Sequence, residues 1–133
     1  MNPKSQILII DDDEDDSLLL IEAIQEVMPE TSFVTLKNGI DALKYLMESK
    51  DQSPAYIFLD LNMPIMDGKA FLKELLKYPE LKKGKIVIYS TSNNDMDKIE
   101  TQVLGAHHYM IKPTSFSDLR NLIRSLFKEV AST

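Results

Sequence analysis

Two kinds of segment alternate five times along this chain, and that alternation leaves few folds open. Runs at residues 7–10, 33–36, 56–59, 86–89 and 109–111 are short, nearly all apolar and rich in β-branched or aromatic side chains, as expected of strands covered on both faces. Longer stretches of helical period lie between and after them. Their stripes are Leu20, Ile24 and Val27; Ile40, Leu43 and Met47; Phe71, Leu72, Leu75 and Leu76; Met96, Ile99 and Val103; and Phe116, Leu119, Ile123, Leu126 and Val130. Methionines at that spacing read as core filler. Pro29, Asn38 and Gly39, Ser53 and Pro54, Asp67 and Gly68, and Lys82, Lys83 and Gly84 punctuate the boundaries, and Ser115 or Ser117 can cap the final helix.

A βα unit repeated five times predicts an α/β fold: a five-stranded parallel sheet with helices on both faces and right-handed crossovers. The natural arrangement is the flavodoxin-like doubly wound (βα)5 sheet, in strand order 2-1-3-4-5. A length of 133 residues suits a single domain over residues 1–133 with no separate output domain. The absence of cysteine excludes a disulfide scaffold and thiolate metal sites and suits a reducing compartment. No apolar run approaches a membrane span, so a soluble, cytoplasmic protein is expected.

Charge is concentrated in one place. Asp11, Asp12, Asp13, Glu14, Asp15 and Asp16 are consecutive, and the other 15 acids balance the 15 Lys and Arg, so this hexapeptide equals the whole net charge of -6. With a pI near 4.9 and no basic stripe, binding to nucleic acid or an anionic membrane is disfavoured, and any effector role should run through a partner protein.

Ligands of open α/β sheets bind beyond the carboxyl ends of the strands, where strand order reverses. At those ends the sequence places Asp11 and Asp12 (first strand), Asp60 (third), Ser90 and Thr91 (fourth) and Lys112 (fifth). Three carboxylates in one crevice repel each other unless a cation neutralises them. An all-oxygen set suits Mg²⁺, whereas the acidic run lacks the glycine and alternating ligands of an EF-hand. Lys112 brings a compact positive charge and Ser90 a hydroxyl donor, which together make a phosphate site without a P-loop. Asp60, between the metal pair and Lys112, becomes the nucleophile for an aspartyl phosphate. Asp13 to Asp16 read as helix-start charge, with Asp15, Asp16 or Ser17 as cap. His107 and His108 point to opposite faces of a strand and read as structural or exposed.

Four motifs stand in fixed order: Ile-Leu-Ile-Ile-Asp11-Asp12; Phe-Leu-Asp60-Leu-Asn62-Met-Pro64-Ile-Met-Asp67-Gly68; Val-Ile-Tyr-Ser90-Thr-Ser92; and Gly105-Ala-His-His-Tyr109-Met-Ile-Lys112-Pro113. They resemble the receiver domain of two-component response regulators, close to the single-domain chemotaxis type, over residues 7–130. The acidic run followed by an apolar helix is also similar to short regulators paired with phytochrome-type kinases. The resemblance implies that Asp11, Asp12 and Asp60 hold Mg²⁺ with the backbone carbonyl of Asn62, and that Asp60 takes a phosphoryl group from a sensor kinase's phosphohistidine. Lys112 and Ser90 would bind that group, and Tyr109 would change rotamer as Ser90 is drawn toward it. Asn62 and Ser92 would tune dephosphorylation, and the Lys112–Pro113 bond is expected to be cis.

Such a chain would be a phosphoacceptor that catalyses its own phosphorylation and dephosphorylation rather than an enzyme acting on other substrates. Its partners would be a sensor histidine kinase or phosphotransfer protein and a downstream protein target, with a homodimer left open. The expected readout surface is the fourth helix, fifth strand and fifth helix. The sequence departs from the family pattern in having Ser90 where Thr is commoner, and Thr114 where Phe is frequent.

Three alternatives are weaker. A pseudo-receiver without phosphorylation is disfavoured because every functional position carries competent chemistry. A haloacid-dehalogenase-type phosphatase would carry its nucleophile on the first strand with a second acid two residues on. An FMN-binding flavodoxin would need a Ser, Thr and Gly-rich phosphate loop where this chain has carboxylates.

Overall fold

A computed structural model describes residues 5–49, 53–81 and 84–131, with side chains as far as residue 128. Strands β1 (Gln6–Ile10), β2 (Ser32–Leu36), β3 (Tyr56–Leu59), β4 (Lys85–Ser90) and β5 (His108–Ile111) alternate with helices α1 (Glu14–Val27), α2 (Gly39–Glu48), α3 (Gly68–Leu76), α4 (Asp95–Val103) and α5 (Phe116–Ala131). The strands pair in parallel in the order β2-β1-β3-β4-β5. This is the doubly wound fold that the alternation predicts.

Side chains along a strand alternate between faces, and each face of the sheet carries its own core. Leu8, Ile10, Ile57, Leu59, Ile86 and Ile88 meet Ala42 and Leu46 of α2 and Phe71, Leu72 and Leu75 of α3. On the other side Ile7, Ile9, Phe58 and Val87 meet Leu20 and Ile24 of α1 and Leu119, Ile123 and Leu126 of α5. The central strands are thus buried on both faces. β2 and β5 are edges with one side unpaired and keep mostly half-exposed residues, so the expectation that all five strands are covered on both faces holds only for the inner three.

Helix starts follow the polar residue before each apolar stripe. Asp13, Asn38 and Asp67 cap α1, α2 and α3 by accepting backbone N–H bonds, and Asn94 caps α4. Ser115 accepts from the Asp118 N–H at the start of α5. The cap of α1 is therefore Asp13, not Asp15, Asp16 or Ser17. Its extended backbone lets Oδ1 reach the Asp16 N–H at 3.0 Å.

Some stripes do not face the core. Met96, Ile99 and Val103 of α4 are 58%, 56% and 78% exposed, so Met96 is no core filler, and α4 buries only Thr101. Ile40 in the first turn of α2 is exposed too, because Ala42, Leu43 and Leu46 make the buried stripe instead. There is no cis peptide bond among the described residues. The Lys112–Pro113 bond is trans, the isomer that even X–Pro bonds prefer by about 0.5–1 kcal/mol, and the expected cis bond is absent. His107 is structural: its Nδ1 accepts from the Ile86 N–H at 3.0 Å while its own N–H donates to the Ile86 carbonyl at 2.8 Å. Lys82, Lys83 and the side chain of Val130 lie outside the described residues.

Between β3 and α3 the chain makes one strained turn. Ile65 has φ 69, a left-handed backbone that is costly for a β-branched residue. The Met66 N–H donates to the Pro64 carbonyl at 2.7 Å across it, closing a three-residue γ-turn.

Candidate functional site

The sheet delivers its functional side chains by continuing its hydrogen-bond ladder one residue past the strand ends. The Asp11 N–H donates to the Leu36 carbonyl at 2.9 Å, the Asp60 N–H to the Ile10 carbonyl at 2.9 Å, and the Lys112 N–H to the Ser90 carbonyl at 2.8 Å. Each backbone is thereby fixed against a neighbouring strand before its side chain enters the crevice. Carboxylate oxygens of Asp11, Asp12 and Asp60 lie within 4.8 Å of one another. Asp11 and Asp60 are buried and Asp12 is exposed at the mouth.

Lys112 supplies the balancing charge, with its side chain 9% exposed. Its Nζ lies 2.8 Å from Asp11 Oδ2, 2.8 Å from Asp16 Oδ2 and 3.8 Å from Asp60 Oδ2, and 5.5 Å from the centre of the Tyr89 ring. Burial and the neighbouring charge of Asp11 push the Asp60 carboxyl up to about 6, against the opposing pull of Lys112. Burial also raises Asp11, with its bond to Lys112 working the other way. Burial disfavours the Lys112 ammonium, yet its bonds to Asp11 and Asp16 outweigh that and hold its pKa above the usual lysine value. The crevice thus holds more negative charge than its single lysine neutralises. An all-carboxylate group so close together fits a hard divalent cation.

The remaining predicted residues surround this centre. Ser90 is buried at the end of β4, and its Oγ accepts from the Ser92 N–H at 3.2 Å. Ser92 turns its hydroxyl to Asp97 of α4, and its carbonyl accepts from the Tyr109 hydroxyl at 2.9 Å. Asp97 in turn pairs with Lys69 of α3, which also reaches Glu100 at 2.8 Å. Asn62 is exposed on the loop after β3.

Two residues have a larger part than the sequence suggested. Asp16, read as helix-start charge, reaches across from α1 to Lys112. The available signal was its position four residues before buried Leu20, on the stripe that α1 turns inward. Gly68, read as a turn and cap residue, lies against the backbone of Asp60, and a Cβ there would stand 2.4 Å from the Asp60 carbonyl oxygen. Only glycine lets α3 start so close beneath that residue.

The fold and this crevice define a receiver domain. Residues 7–124 match the family model described as the response regulator receiver domain, and the chain belongs to that family, whose members are phosphorylation-activated signalling proteins that bind a divalent metal in the acidic pocket. The chain is 30% identical over 129 residues to the response regulator Rcp1 of Synechocystis sp., an alignment covering 94% of this chain and 88% of that protein. Among solved structures it is similar to the phosphorylated cyanobacterial phytochrome response regulator RcpA (TM-score 0.83, 29% identity, covering 93% of this chain and 91% of that one). It is also similar to the Mn²⁺-bound form of response regulator Rcp1 (TM-score 0.80, 30% identity, covering 93% and 91%). No helix among the described residues is long and apolar enough to cross a membrane.

Proposed function

We propose that this protein is switched by transfer of a phosphoryl group from a sensor kinase or phosphotransfer protein's phosphohistidine to the carboxylate of Asp60. The observation that carries this reading is the convergence of Asp11, Asp12 and Asp60 within 4.8 Å beside a buried lysine. Asp11, Asp12 and Asp60, with the backbone carbonyl of Asn62, would hold Mg²⁺. When bound, that ion would neutralise charge developing on the transferred oxygens. The Mn²⁺ in the Rcp1 structure supports a divalent ion in such a pocket.

In the transfer, an Asp60 oxygen forms the new bond to phosphorus, the bond to the donor imidazole nitrogen breaks, and the imidazole leaves with that electron pair. Lys112 then meets the incoming charge, and the Ser90 hydroxyl turns from the Ser92 N–H to a phosphoryl oxygen. Hydrolysis of the acyl phosphate resets the protein, with Asn62 and Ser92 flanking the path of the water. The chain is in this sense a regulator that catalyses its own modification.

Readout would begin at Ser92. A shift of Ser90 disturbs Ser92, which holds both Tyr109 and, through Asp97, α4. This biases an existing equilibrium between two conformations rather than making a new fold. Tyr109 turning inward would change the surface of α4, β5 and α5, where a groove of about 650 Å³ lies between Lys98, Gln102, Tyr109 and Leu122. A downstream protein would bind there; a homodimer through this face would show as a change in sedimentation on phosphorylation.

Incubation with acetyl phosphate and Mg²⁺ followed by intact mass spectrometry tests the acceptor. A phosphate-sized gain in mass that disappears in Asp60→Asn is expected; a gain that persists in that variant overturns the assignment. Lys112→Ala should still take up phosphate but bind its partner alike in both states. Unchanged switching in that variant would remove the role given to Lys112.

A further inference from the structure

Asp16 is one of Lys112's two nearest charged partners, and it stands outside the group of carboxylates that could share a cation. Asp11, Asp12 and Asp60 form that group; Asp16 approaches Lys112 from α1 at 2.8 Å. The placement is built. Asp13 accepts the Asp16 N–H at 3.0 Å and pins the first turn of α1, while Leu20 and Ile24 hold that face of the helix against the sheet. The lysine therefore leans toward Asp11 and Asp16 and stands 3.8 Å from Asp60, beyond hydrogen-bond reach.

A divalent cation occupying Asp11 would draw that carboxylate's charge away from the lysine. Asp16 would then be the main anion competing with Asp60 for it. We propose that Asp16 is a positioning residue that holds the Lys112 ammonium off the phosphoacceptor, so that an incoming phosphoryl group must win the lysine from a standing ion pair. This rests on the reading of Asp60 as acceptor. It adds a built-in restraint on entry into the phosphorylated state, supplied by the first helix rather than by the strand ends.

Replacing Asp16 by Asn keeps size and a hydrogen-bond acceptor but removes the charge. Two consequences have opposite signs. With Lys112 released toward Asp60 and one negative charge fewer in the crevice, a phosphoryl mimic should bind more tightly. With the same lysine competing harder for Asp11 and Asp60, Mg²⁺ alone should bind more weakly. A general loss of structure would weaken both.

The test is calorimetric titration of the full chain with Mg²⁺ alone, and with trifluoroberyllate at saturating Mg²⁺ monitored by fluorine NMR. Asp16→Asn is expected to raise trifluoroberyllate affinity by about fivefold or more, within the range of coupling between groups in direct contact, while lowering Mg²⁺ affinity. The same substitution in a Lys112→Ala background should lose most of the gain, because the effect runs through the lysine. Equal or weaker trifluoroberyllate binding in Asp16→Asn, or an equal gain in both backgrounds, overturns the inference. If the parent protein binds trifluoroberyllate no better than Asp60→Asn, the acceptor assignment fails and takes this inference with it, an outcome distinct from the other two.

Discussion

α4 and α5 flank the same edge strand and both carry an apolar stripe in the sequence, yet they are held in opposite ways. α5 sets Leu119, Ile123, Leu126 and Phe127 into the core shared with α1. α4 turns Met96, Ile99 and Val103 outward and is tied down by polar contacts: Lys69 to Asp97 and Glu100, and Ser92 to Asp97. Packing fixes α5, because apolar burial is lost only by unfolding. Replaceable hydrogen bonds fix α4, and a helix so held can move while the domain stays folded. The movable helix is also the one wired to Ser90.

The contrast breaks most visibly in the core. Ile123→Ala should cost about 2–5 kcal/mol in urea denaturation, as for other fully buried aliphatic residues. A cost under 1 kcal/mol would mean that α5 is no more firmly packed than α4.

A smaller effect comes from pH at the α4 end of β5. Burial, with the charges of Lys85 and His108 acting the same way, lowers the pKa of His107 below 6.5, and its Nδ1 must stay unprotonated to accept from Ile86. The unfolded chain then binds more protons than the folded one, so the contribution to stability is complete above pH 6.5 and is lost as pH falls below it toward the depressed folded value. The slope of stability against pH in that window should not exceed about 1.4 kcal/mol per unit from this residue. His107→Gln should flatten it; an identical slope in that variant would remove His107 as its source.

Smaller still is the polar clamp. Lys69→Ala should lower global stability by only about 0.2–1 kcal/mol, as partly exposed pairs do. Amide exchange should quicken in α4 and stay unchanged in α5. Equal acceleration in both helices would contradict the separation drawn between them. Least of all, Ile99→Ala or Val103→Ala should change stability by no more than about 0.5 kcal/mol; a larger loss would place the α4 stripe in the core after all.

The sequence is informative where a residue's role depends on its own strand. Asp11, Asp60, Ser90 and Lys112 were legible because each ends an apolar run, and strand ends meet at the crevice. It is silent where a role depends on how one element is turned against another. The α4 stripe shows that three apolar residues share a helix face but not which way that face points. Asp16 and Lys112 are 96 positions apart; the spacing to Leu20 puts Asp16 on the inward stripe of α1, but nothing local names Lys112 as what it meets there. Gly68 reads as ordinary turn chemistry until the carbonyl of Asp60 is placed beside it.

Ile65 offers a practical lever on all of these tests. It is 76% exposed and held in a left-handed turn that suits glycine or asparagine. Relaxing that turn by Ile65→Gly would raise the melting temperature without altering the charges around Asp60. Variants of Asp16, Lys112 or Gly68 could then be compared in a background sturdy enough to stay folded, and failure to accept phosphate would be separable from failure to fold.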